Sequence, residues 1–304
     1  MGEGLARLAR MDDLVRQSRD AIARGSKSFA MASTLFDPAT RERAWLLYAW
    51  CRHCDDVIDG QVLGQGTVAV AAPVEERLGR LRELTAAALV GRPTGEPAFE
   101  ALGRVAAETR LPARYPFDLL DGFAMDAAGR TYATFEDTLL YCYHVAGVVG
   151  VMMAIVMGVS PDDRPTLDRA CDLGLAFQLN NIARDVADDE ALGRCYLPAD
   201  WLASLGREAT VRRLVDEAER YEASARHGTP ALSFRSAWAV LAAAGIYGDI
   251  GREVRARGAK AWDLRVSTST AAKLGWVARA LVQSAARQQL YGGPSPRVGL
   301  WTRP

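Results

Sequence analysis

Lysine is nearly absent from this chain: Lys27, Lys260 and Lys273 are the only ones in 304 residues. Arginine supplies almost all the positive charge and balances the acids, 37 basic residues against 37 acidic, for a formal net charge of zero. Such a balance leaves no electrostatic footprint for a nucleic acid, so none is expected as a partner. Cysteine is scarce and odd in number: Cys51, Cys54, Cys142, Cys171 and Cys195. Five thiols spread along a chain of this length do not make a disulfide framework, and a reduced, intracellular protein is expected. Cys51 and Cys54 form a C-x-x-C, but no second pair follows at zinc-site spacing and the segment reads as helix interior. There is no Gly-rich phosphate loop and no G-x-G-x-x-G after a strand, which argues against P-loop and Rossmann enzymes. The N-terminal run MGEGLARLARMDDLVRQSRD is charged throughout and lacks an apolar core, so no signal peptide is expected.

Alternating strand patterns are also missing; 67–71 is short and lies in a Gly-rich connection. What is present is helical. Apolar residues recur at three- and four-residue spacing over 41–59, 75–90, 96–109, 117–127, 136–157, 165–188, 209–225, 234–257 and 271–291. Asp37-Pro38 and Ser269-Thr270 are start signals, the first placing a cap before a proline suited to the first turn. Hydrophobic residues at 49% and charged residues at 24% are enough to bury a sizeable core. The expectation is one all-α domain over 1–304, with 1–15 a candidate mobile segment. One stretch, 139–159, has no charged side chain and is long enough to span a bilayer. Tyr141, Cys142, Tyr143 and His144 crowd one end, and Gly147, Gly150 and Gly158 interrupt it. The reading favoured here is a wholly buried central helix.

Two acidic clusters carry the chemistry. Tyr48, Arg52, Asp55 and Asp59 step by four, three and four; Gln178, Asn181, Asp185 and Asp189 step by three, four and four. On a helix each set forms one polar line. Beside the second runs an apolar line, Leu175, Leu179, Ile182 and Val186, so the polar stripe faces an internal cavity. Like charges four residues apart repel by a few tenths of a kcal/mol when exposed and by more when partly buried. Two such pairs call for a cation. Carboxylate oxygens are hard ligands, suited to Mg²⁺ rather than zinc, and Mg²⁺ keeps positions open for a substrate phosphate. Arg52 and Arg184 add fixed positive charge for the same group. A lone D-x-x-x-D is ordinarily a solvated face; the doubling, each within an apolar helix, is what points to a site.

At these residues the chain resembles the squalene/phytoene synthase family. The resemblance rests on Gly25-Ser-Lys-Ser-Phe29, Tyr48-Ala-Trp-Cys-Arg-His-Cys-Asp-Asp-Val-Ile-Asp59 and Tyr141-Cys-Tyr-His-Val-Ala-Gly-Val-Val-Gly150. It continues through Asn181-Ile-Ala-Arg-Asp-Val-Ala-Asp-Asp189 and Arg194-Cys-Tyr-Leu-Pro198 to Leu300-Trp, and so covers nearly the whole chain. The bacterial, carotenoid-pathway members are the most similar. The resemblance implies an all-α isoprenoid-synthase bundle around a central cavity. It implies that Asp55, Asp59, Asn181, Asp185 and Asp189 bind a Mg²⁺–diphosphate cluster, with Mn²⁺ as an alternative ion. Ser26, Lys27, Ser28, Tyr48, Arg52, Gln178, Arg184 and Tyr247 would bind or surround the diphosphate, and Tyr141 would stand near the reacting carbons. Some relatives carry His where this chain has Gly25. Arg265 and Lys273 are candidates for basic residues used late in the chain.

The implied reaction is head-to-head condensation of two geranylgeranyl diphosphates, through a cyclopropyl diphosphate, to a C40 hydrocarbon, with no NADPH. The implied setting is cytoplasmic, with peripheral membrane contact and hand-over to downstream carotenoid enzymes. A farnesyl-diphosphate enzyme of squalene or dehydrosqualene type shares the motifs, a terpene cyclase shares the acidic helices, and a non-catalytic membrane protein would rest on 139–159. Phe177 reads as an ordinary core aromatic and His144 as a satisfied core histidine. Asp121 and Asp126 read as structural or lid residues rather than metal ligands.

Overall fold

The computed structural model describes the backbone of residues 2–25, 27–60 and 72–304, with side chains over 13–25, 29–60 and 72–304. The 67–71 stretch therefore lies outside the described residues, as do Met1 and the side chains of 1–12; the backbone of 2–15 is helical, as part of the first helix. The fold is all α-helix, 77% helical, with no strand among the described residues. The helices are α1 (Gly2–Gly25), α2 (Lys27–Ser33), α3 (Pro38–Asp59), α4 (Val74–Leu89), α5 (Pro97–Thr109), α6 (Arg114–Ala127) and α7 (Phe135–Cys142). A π-helical turn, Tyr143–Gly147, leads into α8 (Val148–Val156). The chain continues as α9 (Arg164–Ala191), α10 (Ala199–Leu205), α11 (Arg207–Arg226), α12 (Phe234–Arg257), α13 (Thr270–Ala285) and α14 (Arg287–Tyr291).

Local chemistry sets the helix ends. Asp37 accepts from the Thr40 amide at 3.0 Å, Pro38 opens α3, and Gly60 closes it at φ +65°. Thr134 and Asp137 form a reciprocal capping box on α7. Ser269 accepts from the Ala272 amide, so the expected start of α13 is present. The single helix expected over 271–291 is instead two, α13 and α14, parted at Ala286.

Helix α9, 28 residues and about 42 Å long, is the axis of the molecule. It packs against α8, α11 and α12. The approach of α8 is close enough to require glycine. A β-carbon at Gly150 would overlap the Ala170 carbonyl, and one at Gly174 would overlap the Ala146 carbonyl and the Gly147 backbone. The segment Phe135–Val156 is long and apolar enough to cross a membrane, its most apolar 18-residue window having a mean hydropathy of 2.0, yet 61% of that window is buried in the protein. Val148, Val151 and Met152 are wholly inside. This is the buried central segment expected, broken by the π-turn rather than continuous.

The chain's end is pinned to α9. The Arg297 guanidinium donates to both oxygens of Asp172, at 2.9 and 2.6 Å, and Arg303 donates to Asp168 at 2.7 Å. Asp172 is completely buried. Burial pushes its pKa up although Arg297 and Ser224 pull the other way.

Candidate active site

The apolar faces of α8, α9 and α12, with Phe29 and Phe36, enclose a cavity of about 420 Å³. At one end its wall turns polar: Tyr48 and Arg52 from α3, Gln178 and Asn181 from α9, and Tyr247 from α12. One and two turns further along α3 stand Asp55 and Asp59, and along α9 Asp185 and Asp189, so both acidic lines converge on one end of one cavity. Asn181 donates to Gln178 at 3.3 Å. Phe177 stacks on Tyr247 with centroids 4.2 Å apart and lines the cavity. This corrects its reading as a core aromatic: 177 shares its helix face with Gly174 and Gln178.

The four aspartates differ. Burial raises the pKa of Asp55 to about 6, opposed by Arg52 and reinforced by Asp59, Asp56 and Asp126. Burial likewise raises Asp189 to about 6, reinforced by Asp185, Asp126 and Asp188 and opposed by Arg194. Burial also acts on Asp185, but two guanidiniums outweigh it and its pKa is lowered. Arg184 donates to Asp185 Oδ1 at 2.7 Å, and Arg265 donates to its two oxygens at 3.0 and 3.1 Å. Arg265, one of the two late basic candidates, thus reaches the site. Lys273 lies on α13, and among the described residues no side-chain hydrogen bond or ion pair places it at the site.

Sequence reasoning missed two residues and undervalued a third. Arg194 approaches Asp59 at 3.6 Å. Asp126 accepts from Tyr141 at 3.1 Å and from Tyr196 at 2.8 Å, and these two rings stack at 4.7 Å. Asp126 raises the pKa of both Asp55 and Asp189, so it sits between the two acidic helices. Its own pKa is raised, by burial first. The signal available was the Arg194-Cys-Tyr196 stretch, only five residues beyond Asp189. Tyr141 is buried beside this acidic end rather than in the cavity wall. Asp121 pairs with Arg82, and the Nδ1 of His144 meets the Asp118 carbonyl at 2.7 Å, both in structural roles as read from the sequence. Cys51 and Cys54 lie inside α3 with thiol pKa values raised by burial, that of Cys51 to about 12. Ser26 and the side chains of Lys27 and Ser28 lie outside the described residues. At Gly25 a β-carbon would overlap the Tyr48 hydroxyl, so a side chain there would require that hydroxyl to shift.

A family model described as squalene/phytoene synthase matches residues 22–272. The chain belongs to the squalene/phytoene synthase family. Within this family it is 51% identical to a 15-cis-phytoene synthase of Paracoccus sp. (strain N81106 / MBIC 01143), over 97% of this chain and 99% of that one. It is 49% identical to the 15-cis-phytoene synthase of Pantoea ananas, over 96% and 98%. Among solved structures, a dehydrosqualene synthase in complex with ligand superposes with a TM-score of 0.80 at 25% identity, covering 91% of this chain and 99% of that one. These comparisons make the chain a prenyltransferase, in a divalent-metal-dependent class of isoprenoid synthases. The residues fit such an ion. The donors are all hard oxygens, and the raised pKa values of Asp55 and Asp189 mark negative charge that burial leaves undercompensated. Among the described residues no three acidic, Cys or His side chains yet stand close enough to hold it. Arg52 occupies Asp55, and Arg184 and Arg265 occupy Asp185.

Proposed function

We propose that this protein is a 15-cis-phytoene synthase that joins two geranylgeranyl diphosphates head to head, through prephytoene diphosphate, to phytoene. The observation that carries the reading is one apolar cavity with a polar end, set under two carboxylate helices, in a chain half identical to curated phytoene synthases over nearly its full length. Mg²⁺, or Mn²⁺ in its place, held by Asp55, Asp59, Asn181, Asp185 and Asp189, would neutralise the diphosphate and turn it into a leaving group.

The chain's own residues do the rest. Arg52, Arg184 and Arg265 hold fixed positive charge where the diphosphate develops charge. On binding, diphosphate oxygens replace the aspartates as partners of these guanidiniums, which frees the carboxylates. Ser26, Lys27 and Ser28 are further candidates to bind the same group. Gln178 and Asn181 orient it. The walls from α8 and α12 keep water from the allylic cation, and the faces of Phe29, Tyr48, Phe177 and Tyr247 stabilise it. Tyr141, with Asp126 and Tyr196, forms a hydrogen-bonded group beside the reacting end. The second cation ends by losing a proton, so no hydride donor and no NADPH are required. The setting is cytoplasmic, with reversible contact to a membrane that holds the amphipathic substrate and takes up the oily product, and with downstream carotenoid enzymes as the next users.

The test is incubation of purified protein with Mg²⁺ and geranylgeranyl diphosphate, with product identification by chromatography. Phytoene is expected, at a rate and yield unchanged by NADPH. Farnesyl diphosphate is expected to react at least about tenfold less efficiently, because each CH₂ left unburied forfeits about 0.8 kcal/mol. Squalene formed only with NADPH would overturn the assignment in favour of the farnesyl-diphosphate reading.

A further inference from the structure

Helix α13 is unusual in what it shows to solvent. Its inner face packs on α12: Trp276 lies against Gly245, where a β-carbon would not fit, and Trp238 donates to the Val277 carbonyl at 2.8 Å. Its outer face, at helical spacing, is Ala271, Leu274, Gly275, Ala278, Leu281, Val282 and Ala285. All are exposed, Leu274 at 59%, Leu281 at 41% and Val282 at 69%. Leu290, at 52%, continues the strip onto α14. A solvated helix face is ordinarily polar; an apolar one this long marks a contact surface.

Charge decides what meets it. From Leu264 to Pro304 the chain carries six basic residues and no acidic one, although the whole protein is neutral; Arg265, Arg297 and Arg303 are paired with Asp185, Asp172 and Asp168, so the charge of the outer face comes from α13. On α13 itself the cations are Lys273 and Arg279; Arg279 leans over the Trp276 ring at 5.2 Å, and among the described residues neither has an ion-pair partner within 4 Å. An apolar strip bordered by cations complements an anionic lipid surface, which offers acyl chains and phosphate together. A second copy of the chain fits less well. A two-fold contact repeats the same patch on both sides, setting cation against cation with no carboxylate from this segment to pair them.

We infer that the outer face of α13 is the surface by which the protein docks on an anionic membrane. The inference deepens the membrane contact proposed above and rests on that reading. It also gives the contact a geometry. Helix α12, directly beneath α13, lines the cavity through Ala239, Val240, Ala243, Ile246 and Tyr247. Docking by α13 therefore leaves the cavity one helix away from the bilayer. Arg265, just before α13, reaches Asp185, so the polar end of the cavity lies beside the docked surface.

The experiment is co-sedimentation of the full-length protein with vesicles of phosphatidylcholine alone, or of phosphatidylcholine with phosphatidylglycerol, at low and high ionic strength. Wild-type protein is expected to partition onto the phosphatidylglycerol vesicles and to be released by salt. The Leu281→Glu/Val282→Glu double variant is expected to lose at least about tenfold in partitioning. Its melting temperature should stay unchanged, because both side chains are solvated, as should turnover of detergent-dispersed substrate. Arg279→Gln should weaken partitioning several-fold on the anionic vesicles only. Unchanged partitioning of the double variant, or no partitioning of wild type, overturns the inference. So does a concentration-dependent dimer that the double variant dissolves without any vesicle binding, which would assign the face to a second copy. Vesicle binding is read without reference to product, so the phytoene assignment stands or falls separately.

Discussion

Helices α3 and α9 carry the same pattern of two aspartates four residues apart beside an arginine, yet their electrostatics diverge. On α3, Asp55 has Arg52 as its cation, and burial prevails: its pKa rises to about 6. On α9, Asp185 lies between Arg184 and Arg265, and its pKa falls. A motif read along one helix gives the ligand type; the charge state is set by what arrives from elsewhere in the fold. For Asp185 that is Arg265, eighty residues further along the chain. Asp55 and Asp189 are therefore the carboxylates that most need a cation, and Asp185 is already supplied with one.

Turnover should erase this difference. Asp55→Asn and Asp185→Asn are each expected to lower kcat by at least about a hundredfold with saturating Mg²⁺, the scale of removing one preorganised electrostatic group. Near-normal turnover of Asp185→Asn in a steady-state assay would remove it from the site.

Stability should sharpen the difference. In metal-free protein Asp185→Asn strips two guanidiniums of their shared partner and should cost about 1–3 kcal/mol. Asp55→Asn removes a charge that burial disfavours and should be neutral or stabilising by up to about 1 kcal/mol, discounted for its partial exposure. Differential scanning of the two variants in a chelator reads the opposite signs directly; a shared sign would mean that Arg184 and Arg265 do not distinguish the helices.

The smallest effect is in pH. The folded protein holds protons on Asp55 and Asp189 up to about pH 6, while ordinary aspartates release them near 3.8. The unfolded chain binds fewer protons in that window, so these two groups make stability fall as pH rises through it. The stability advantage of an Asp55→Asn/Asp189→Asn variant, measured as the Tm difference from wild type without metal, should be present at pH 7.5 and shrink towards pH 5. An advantage independent of pH would show that the carboxyls titrate normally.

Much of this was legible locally. The acidic stripes, the Asp37 and Ser269 caps and the buried reading of 139–159 rest on spacing and short-range chemistry, and they appear in the fold as read. Helix α10 was missed because it is seven residues long, too short for periodicity to register. Phe177 was misassigned because an aromatic on an apolar helix looks the same whether it faces core or cavity; only Tyr247, brought in by α12, settles it. Asp126 and Arg194 were undervalued, although Arg194 stands in the Arg194-Cys-Tyr-Leu-Pro198 stretch, because each matters through its distance to helices that the chain order keeps apart.

The Arg297–Asp172 pair also makes two distant stretches of the chain depend on each other. Asp172 is completely buried in the middle of α9, and Arg297, 125 residues further on, meets both of its oxygens. A buried carboxylate stripped of its bidentate partner is strongly destabilising, because the charge stays inside without compensation. The flank of α9 is therefore sealed by the segment that carries Arg297, and Arg297→Gln would loosen the axial helix itself rather than the distal segment alone.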